Sequence, residues 1–400
     1  MRRSGMATRT LRKALVAVAA ATVMTTTVLT ATATASADTG APRPGHPAAQ
    51  KALEAHVRTG IPGVLGQVRD AGGTWNGSAG VADRDTGRER LPEDRFRIGS
   101  ITKAFTSVVL LQLEAEGRLS LDDSIEHHLP GVVHGNGNDG RGITLRQMLN
   151  HTSGLPDYLD DAFFERIGTT DWPEHRYDTF KPAGLVATAV AHPPAFEPGT
   201  DWKYSNTNYV LAGMVIEKVT GASYESEVER RIVRPLGMRA TSLPGTSPRI
   251  PGPHGRAYSD LHGGPGARIW DTTELNPSWI WSAGQAISTV GDLNRFYGAL
   301  LRGELLPGKQ QQELLTAVPV PVKEAGEGVA YGLGLYRTTL PCGGYIWEHG
   351  GSINGSLSVA ASSPDGRHTA VFNANGDWGD ADLEDVVKAE FCDTAQPARH

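Results

Sequence analysis

The sequence predicts an α+β fold: an antiparallel sheet drawn from both ends of the chain, flanked by helices, with a mostly helical second part in between. Three observations predict it. Strand-like segments open the chain at 64–68 and 73–81. The segments "YGLGLYRTTL", "GYIWEHG", "SLSVAASSPD" and "RHTAVFNANG" close it as successive antiparallel strands. Between these two groups, from about 120 to 285, the apolar spacing is that of helices.

Residues 1–37 read as a cleavable secretory signal peptide. Arg2, Arg3, Arg9, Arg12 and Lys13 precede a mostly apolar stretch from Ala14 to Leu29, and Ala35-Ser36-Ala37 supplies the A-x-A site, with cleavage expected after Ala37. The expected protein is therefore secreted. A Pro/Gly-rich leader, 38–50, should be extended, and 51–395 should form one domain. Asp70-Ala71-Gly72-Gly73 turns the first two strands into a hairpin. Ser100 to Glu116 is a helix stopped by Gly117, and Ile143 to Leu149 is a short helix. Residues 155–200, rich in aromatics and proline, read as an irregular insertion lining a pocket. Ser205 to Val219, ended by Gly221, and "YESEVERRIVRPLGM" are further helices; 241–278 is loop, and Ser288 to Leu301 is helix. Pro364-Asp365-Gly366 marks the turn between the last two strands, and "DLEDVVKAEF" closes the chain as a helix.

Removing the leader takes five basic and no acidic residues from the 38 and 44 present, leaving 33 against 44 and a net charge of −11. Such a surface disfavours nucleic acid and anionic membranes as partners, and no segment after the leader is apolar enough to span a bilayer. A monomer is expected. The two cysteines, Cys342 and Cys392, suggest a disulfide in an exported chain.

Chemistry is concentrated in three short segments. In "FRIGSITKAF" (96–105) Ser100 and Lys103 stand three apart at a helix start, so both lie on one helix face. Free N–H groups at that end favour a developing negative charge. A lysine in so apolar a helix has its ammonium disfavoured, which makes it a base for the serine. In "YSNTN" Tyr204 and Asn206 flank the start of another helix. Tyr204 can relay a proton, and Asn206 can hold the lysine or a substrate amide. In "WEHGGSING" (347–355) His349 is followed by Gly350, Gly351 and Ser352 on an expected strand, where glycines let a bound chain approach the backbone. Each segment alone has a plainer reading: a capped helix, a second cap, a glycine-rich turn. No G-x-S-x-G or H-E-x-x-H is present. His127-His128 reads as surface, and neither metal nor cofactor is expected.

Taken together and in this order, S-x-x-K, Y-x-N and H-x-G resemble the serine hydrolases of the penicillin-recognising fold, the class C β-lactamase and DD-peptidase superfamily. "LNHTSGL" and "SAGQAISTVGDLNRF" are also similar to it, and secreted D-alanyl-D-alanine carboxypeptidases are the nearest branch. The resemblance places the active site between the sheet and the helical part. It implies Ser100 as acylated nucleophile, with Lys103 and Tyr204 sharing proton transfers and Tyr204 the more immediate base. It further implies that Asn206 binds the substrate amide and His349 orders the Tyr204 hydroxyl. The N–H groups of Ser100 and Ser352 would form the oxyanion hole, beside Gly350 and Gly351, and Phe163 and Trp279 would be pocket walls. The implied substrate is a small D-amino-acid-containing peptide, with β-lactams as covalent ligands. Two departures bear on this. The hydroxyl that helps bind a substrate carboxylate is missing at Gly350, and the carboxylate-binding arginine aligns with Tyr336, Arg337 being one residue on. An esterase, a D-amino-acid amidase or peptidase, and a β-lactamase are therefore alternatives on the same machinery, and a non-catalytic penicillin-binding sensor is a further one.

Overall fold

The computed structural model describes residues 45–159, 161–378 and 382–393; the expected signal peptide and most of the leader lie outside this range. The strands of the large sheet, numbered along the chain, are β1 Gly63–Asp70, β2 Gly73–Gly80, β3 Val318–Pro319, β4 Val329–Tyr331, β5 Tyr336–Thr339, β6 Tyr345–Ile353, β7 Ser356–Ser362 and β8 Thr369–Ala374. They lie in the order β2-β1-β8-β7-β6-β5-β4-β3. The two ends of the chain meet at the β1–β8 pair, antiparallel from Val64 opposite Ala374 to Arg69 opposite Thr369. The hairpins follow from turn chemistry: Asp70 Oδ1 accepts from the Gly72 N–H (2.8 Å), and Gly366 takes a positive φ after Pro364-Asp365.

Alternation along the strands separates two cores. Val64, Val68, Val359, Ala361, Ala370 and Phe372 pack with Leu53 of the helix Pro47–Arg58 and Val386, Val387 and Phe391 of the helix Glu384–Asp393. Their strand neighbours Leu65, Ala360 and Val371 join the larger core on the other side, with the helices Thr102–Ala115 and Val290–Leu301. Phe105 and Phe296 stack between those two helices, 3.9 Å between ring centroids. The central strands β1, β7 and β8 are thus buried on both faces, which is why they read as apolar runs.

Three expectations change. The first helix begins at Pro47, inside the segment expected to be extended, since a proline in the first helical turn has no intrahelical bond to lose. For the same reason 155–200 is not irregular: it carries the helices Asp161–Gly168, Trp172–His175 and Pro182–Val190, two of them with proline in the first turn. The helix begun at Tyr224 closes in a π-turn over Glu229–Val233 and stops short of Pro235. The Cys342–Cys392 disulfide is present, Cα atoms 5.6 Å apart, and ties the C-terminal helix to the turn between β5 and β6.

Candidate active site

The nucleophile turn is anchored before it begins. Phe96–Arg97 pairs with Ile287–Ser288, and Ile98 N–H donates to Ala286 O (2.9 Å). Gly99 then takes φ +51°, and one 3₁₀ turn carries Ser100 into the helix that starts at Thr102. Two glycines let this turn touch β6. A Cβ on Gly351 would lie 1.9 Å from Ile98 O and 3.2 Å from Ser100 N, and one on Gly99 would lie 2.7 Å from Ser352 N. The backbones of Ser100 and Ser352 therefore run side by side, the arrangement an oxyanion-binding pair of N–H groups needs.

Lys103 is fully buried. Its Nζ donates to Ser100 Oγ (3.0 Å), Asn206 Oδ1 (2.8 Å) and Ala283 O (2.9 Å), and lies 4.8 Å from the centre of the Tyr204 ring. Desolvation lowers its pKa to about 7, against an opposing pull from Asp157. At about 1.4 kcal/mol per unit, burial disfavours the ammonium by roughly 5 kcal/mol. The Tyr204 hydroxyl lies beside Ser100, and burial first and Tyr336 second push its pKa well above 10. Burial thus disfavours both the Lys103 ammonium and a Tyr204 phenolate, which favours neutral Lys103 over Tyr204 as the first base.

Asn206 takes the first of the two roles its position allows. With its Oδ1 held by Lys103, its Nδ2 and backbone N–H donate to Asp157 Oδ2 (2.9 and 3.1 Å). It holds the lysine. Asp157 was missed in the sequence because nothing in "GLPDYLDD" separates one aspartate from the next.

His349 is buried, and it meets Tyr331 rather than the Tyr204 hydroxyl. Its Nδ1 lies 2.5 Å from Gly350 O, which can only accept. Nδ1 therefore carries the proton, and Nε2 accepts from the Tyr331 hydroxyl at 3.1 Å. Desolvation lowers its pKa to about 3, with Lys103 adding to the effect, so the imidazole is neutral.

Tyr336 turns toward this cluster, its ring centroid 4.5 Å from that of Tyr331 and 5.2 Å from that of His349. Neighbours on a strand point to opposite sides. Arg337, the candidate one residue on, accordingly points away, exposed, its guanidinium 5.6 Å over the Tyr345 ring, and does not replace the missing arginine. Gly350 is open, a Cβ there meeting only Ser358 O at 3.8 Å. Phe163 packs edge-on against Tyr158, next to Asp157, and against Phe180. Trp279 is buried in the large core four residues before Ala283. Both thus belong to segments that contact the site.

Among the described residues one group brings metal-ligand atoms together: Asp123, His127 and His128, within 4.8 Å of one another. His128 is buried rather than on the surface as expected, and its Nε2 already bonds Asp123 Oδ2 (2.9 Å), which also accepts from Ser120 N–H.

A buried lysine bonded to a serine at a helix start, with a tyrosine ring against the same lysine, is the arrangement of a serine hydrolase of the penicillin-recognising fold. Residues 49–391 match the Beta-lactamase family, and the chain belongs to it. A D-stereospecific amidohydrolase from Streptomyces sp. is 51% identical over 88% of this chain and 100% of its own, with a TM-score of 0.83. The D-amino acid amidase of Ochrobactrum anthropi SV3 is 29% identical over 86% of this chain and 97% of its own, with a TM-score of 0.73. Penicillin-binding protein 4* of Bacillus subtilis (strain 168) is 28% identical over 322 residues, 79% of this chain and 68% of that protein. The chain spans only 38% to 44% of the length of Staphylococcus aureus proteins named flp that it also matches.

Proposed function

We propose that this chain is an exported, monomeric D-stereospecific amidase that works through an acyl-enzyme at Ser100, with the domain beginning near residue 47, where the first helix starts, and ending near 395. The observation that carries the reading is the missing carboxylate partner. Arg337 points away from the site, Tyr336 faces it in its place, and Gly350 offers no hydroxyl. A carboxylate leaving water needs charge-assisted partners, so a substrate ending in an amide suits this site better than a free C-terminal acid. The similarity to a D-stereospecific amidohydrolase and a D-amino acid amidase supports the same reading. The basic and apolar leader and the Cys342–Cys392 bond support export.

In this reading neutral Lys103 takes the Ser100 proton as Oγ adds to the substrate carbonyl, and the N–H groups of Ser100 and Ser352 hold the oxyanion. The C–N bond then breaks, and the leaving amine takes the proton from the Lys103 ammonium, by way of the Tyr204 hydroxyl. Water repeats the sequence on the ester, releasing the D-amino acid and restoring the serine. Activity should rise with pH through about 7 as Lys103 loses its proton.

The test is a panel of an aromatic D-amino-acid amide, its L-enantiomer, a D-Ala-D-Ala peptide, a short ester and a penicillin, read by turnover and by intact mass of the acyl-enzyme. The D-amide should lead. Ser100→Ala should abolish both turnover and the mass shift. A wild type preferring the free-acid peptide by several orders of magnitude would restore the carboxypeptidase reading, and acylation without turnover would favour the sensor.

A further inference from the structure

The histidine of "LNHTSGL" takes no part in the steps above, yet it is among the most constrained residues of the chain. His151 has no solvent exposure. It holds φ +65° without being glycine, a conformation that persists where the surroundings over-determine it. Its contacts converge on one place. Its carbonyl oxygen accepts from Lys203 N–H (3.1 Å), and its Nδ1 accepts from Ser205 N–H (3.2 Å). Those are the two chain neighbours of Tyr204. Its ring lies 4.4 Å from the Tyr204 ring, 4.9 Å from Tyr331, 5.4 Å from Tyr209 and 5.7 Å from Trp202.

The tautomer follows from the same contacts. The Asn208 amide reaches Nδ1 at 3.1 Å while Asn208 Oδ1 accepts from Ser153 Oγ (2.7 Å), so the amide group facing Nδ1 is a donor. Nδ1 then accepts from both, and the proton sits on Nε2, which is buried without a hydrogen-bond partner. Burial first, then Lys103 and His349, keep the imidazole neutral.

We infer that His151 is a positioning residue for Tyr204: it grips the chain on both sides of that tyrosine, and its ring closes the wall that keeps water from Lys103. The inference rests on the reading of Ser100, Lys103 and Tyr204 as one proton-transfer unit. The titratable and charged groups around the ammonium are Ser100, Tyr204, Tyr209, Asp157, His151 and His349. Removing an imidazole that is never charged therefore changes the solvation of Lys103 and leaves the charge around it as it was.

His151→Leu removes the acceptor for Ser205 N–H and Asn208, so both groups turn to water and the wall over Lys103 opens. His151→Asn offers an amide oxygen near the place of Nδ1 and tolerates positive φ. The experiment measures kcat, KM and the pH profile of kcat for D-phenylalanine amide with the full disulfide-bonded chain, and active sites are counted by acylation. His151→Leu should lower kcat by about ten- to a hundredfold, the loss expected when a catalytic group shifts by a fraction of an ångström. KM should change little. The rising limb should move up from about 7 by about half a unit or more as Lys103 regains solvent. His151→Asn should recover most of kcat. An unmoved limb, or equal loss in both variants, would overturn the inference. If His151→Leu does not fold, Asn208→Ser, which withdraws one donor from Nδ1, should move the limb in the same direction by less; an unmoved limb there is equally fatal. A wild type that is not acylated at Ser100 sinks both readings, whereas an acylated, active wild type with indistinguishable variants sinks this one alone.

Discussion

Lys103 is where catalysis and stability pull against each other. Its folded pKa of about 7 lies below the 10.5 of an exposed lysine, so between these values the unfolded chain binds more protons and stability rises with pH. Below about 7 both states are protonated and the slope vanishes. Lys103→Met removes the titration. The difference in unfolding free energy, wild type minus variant, should therefore climb by about 1.4 kcal/mol per pH unit from roughly pH 7.5 to 9.5 and stay flat from 5 to 6.5. Denaturant melts at several pH values read this directly, whatever the offset left by the unpaired Asn206 Oδ1 and Ala283 O. A flat difference above pH 7.5 would mean that the buried lysine keeps an ordinary pKa.

The same residue shows what a sequence discloses and what it withholds. Ser100, Lys103, Tyr204 and His349 were legible because their chemistry is written in short spacings. Their partners were not. Asp157, Tyr331 and His151 reach the site across 49 residues to Asn206, 18 to His349 and 54 to Ser205; no local pattern marks Asp157 or Tyr331, and the motif around His151 gives no hint of which groups it meets. Arg337 and Tyr336 were ambiguous for another reason. Adjacent strand residues face opposite ways, and one residue of register decides which faces the site.

At the scale of elements, the join between β6 and the nucleophile turn is the most exacting. Gly350 and Gly351 are neighbours in sequence and opposites in tolerance. Gly350→Thr has room, and its hydroxyl should favour a free-acid substrate. A hydrogen bond to a charged group is worth about 1.5 to 3 kcal/mol, so the acid-to-amide ratio of kcat/KM should rise about tenfold or more, as measured on one D-Ala-D-Ala peptide and its amide. Gly351→Ala pushes a methyl onto Ile98 O. Turnover should collapse and the melting temperature should fall, and a variant with wild-type values would show that the two segments do not touch as described. Most elements themselves were legible, since the central strands are buried on both faces and the helices carry ordinary stops such as Gly221, left-handed at φ +71°. The helices of 155–200 were not, because proline was read as a breaker where it opens a turn.

For the whole molecule, the Cys342–Cys392 bond closes a loop of 50 residues and on the chain-entropy account contributes about 4 kcal/mol. It pins the C-terminal helix, which with the helix Pro47–Arg58 covers one face of the sheet. A reductant should lower the melting temperature by several degrees and loosen that helix first, as hydrogen exchange would register. Unchanged melting after reduction, checked by thiol alkylation, would show that the helix docks without the bond.

The β1–β8 pair joins residue 64 to residue 374, and this has a consequence for timing. Strands β1 and β2 leave the ribosome hundreds of residues before their central partner exists, so a hairpin with one open edge waits through almost the whole of synthesis. Contacts of such long range also make folding slow. The catalytic turn, which leans on β6, can settle only when the sheet closes behind it. A chain that stops before Thr369 therefore has its nucleophile already in place in the sequence and no finished site around it, and hydrolytic activity should appear only once the last strand has taken its place between β1 and β7.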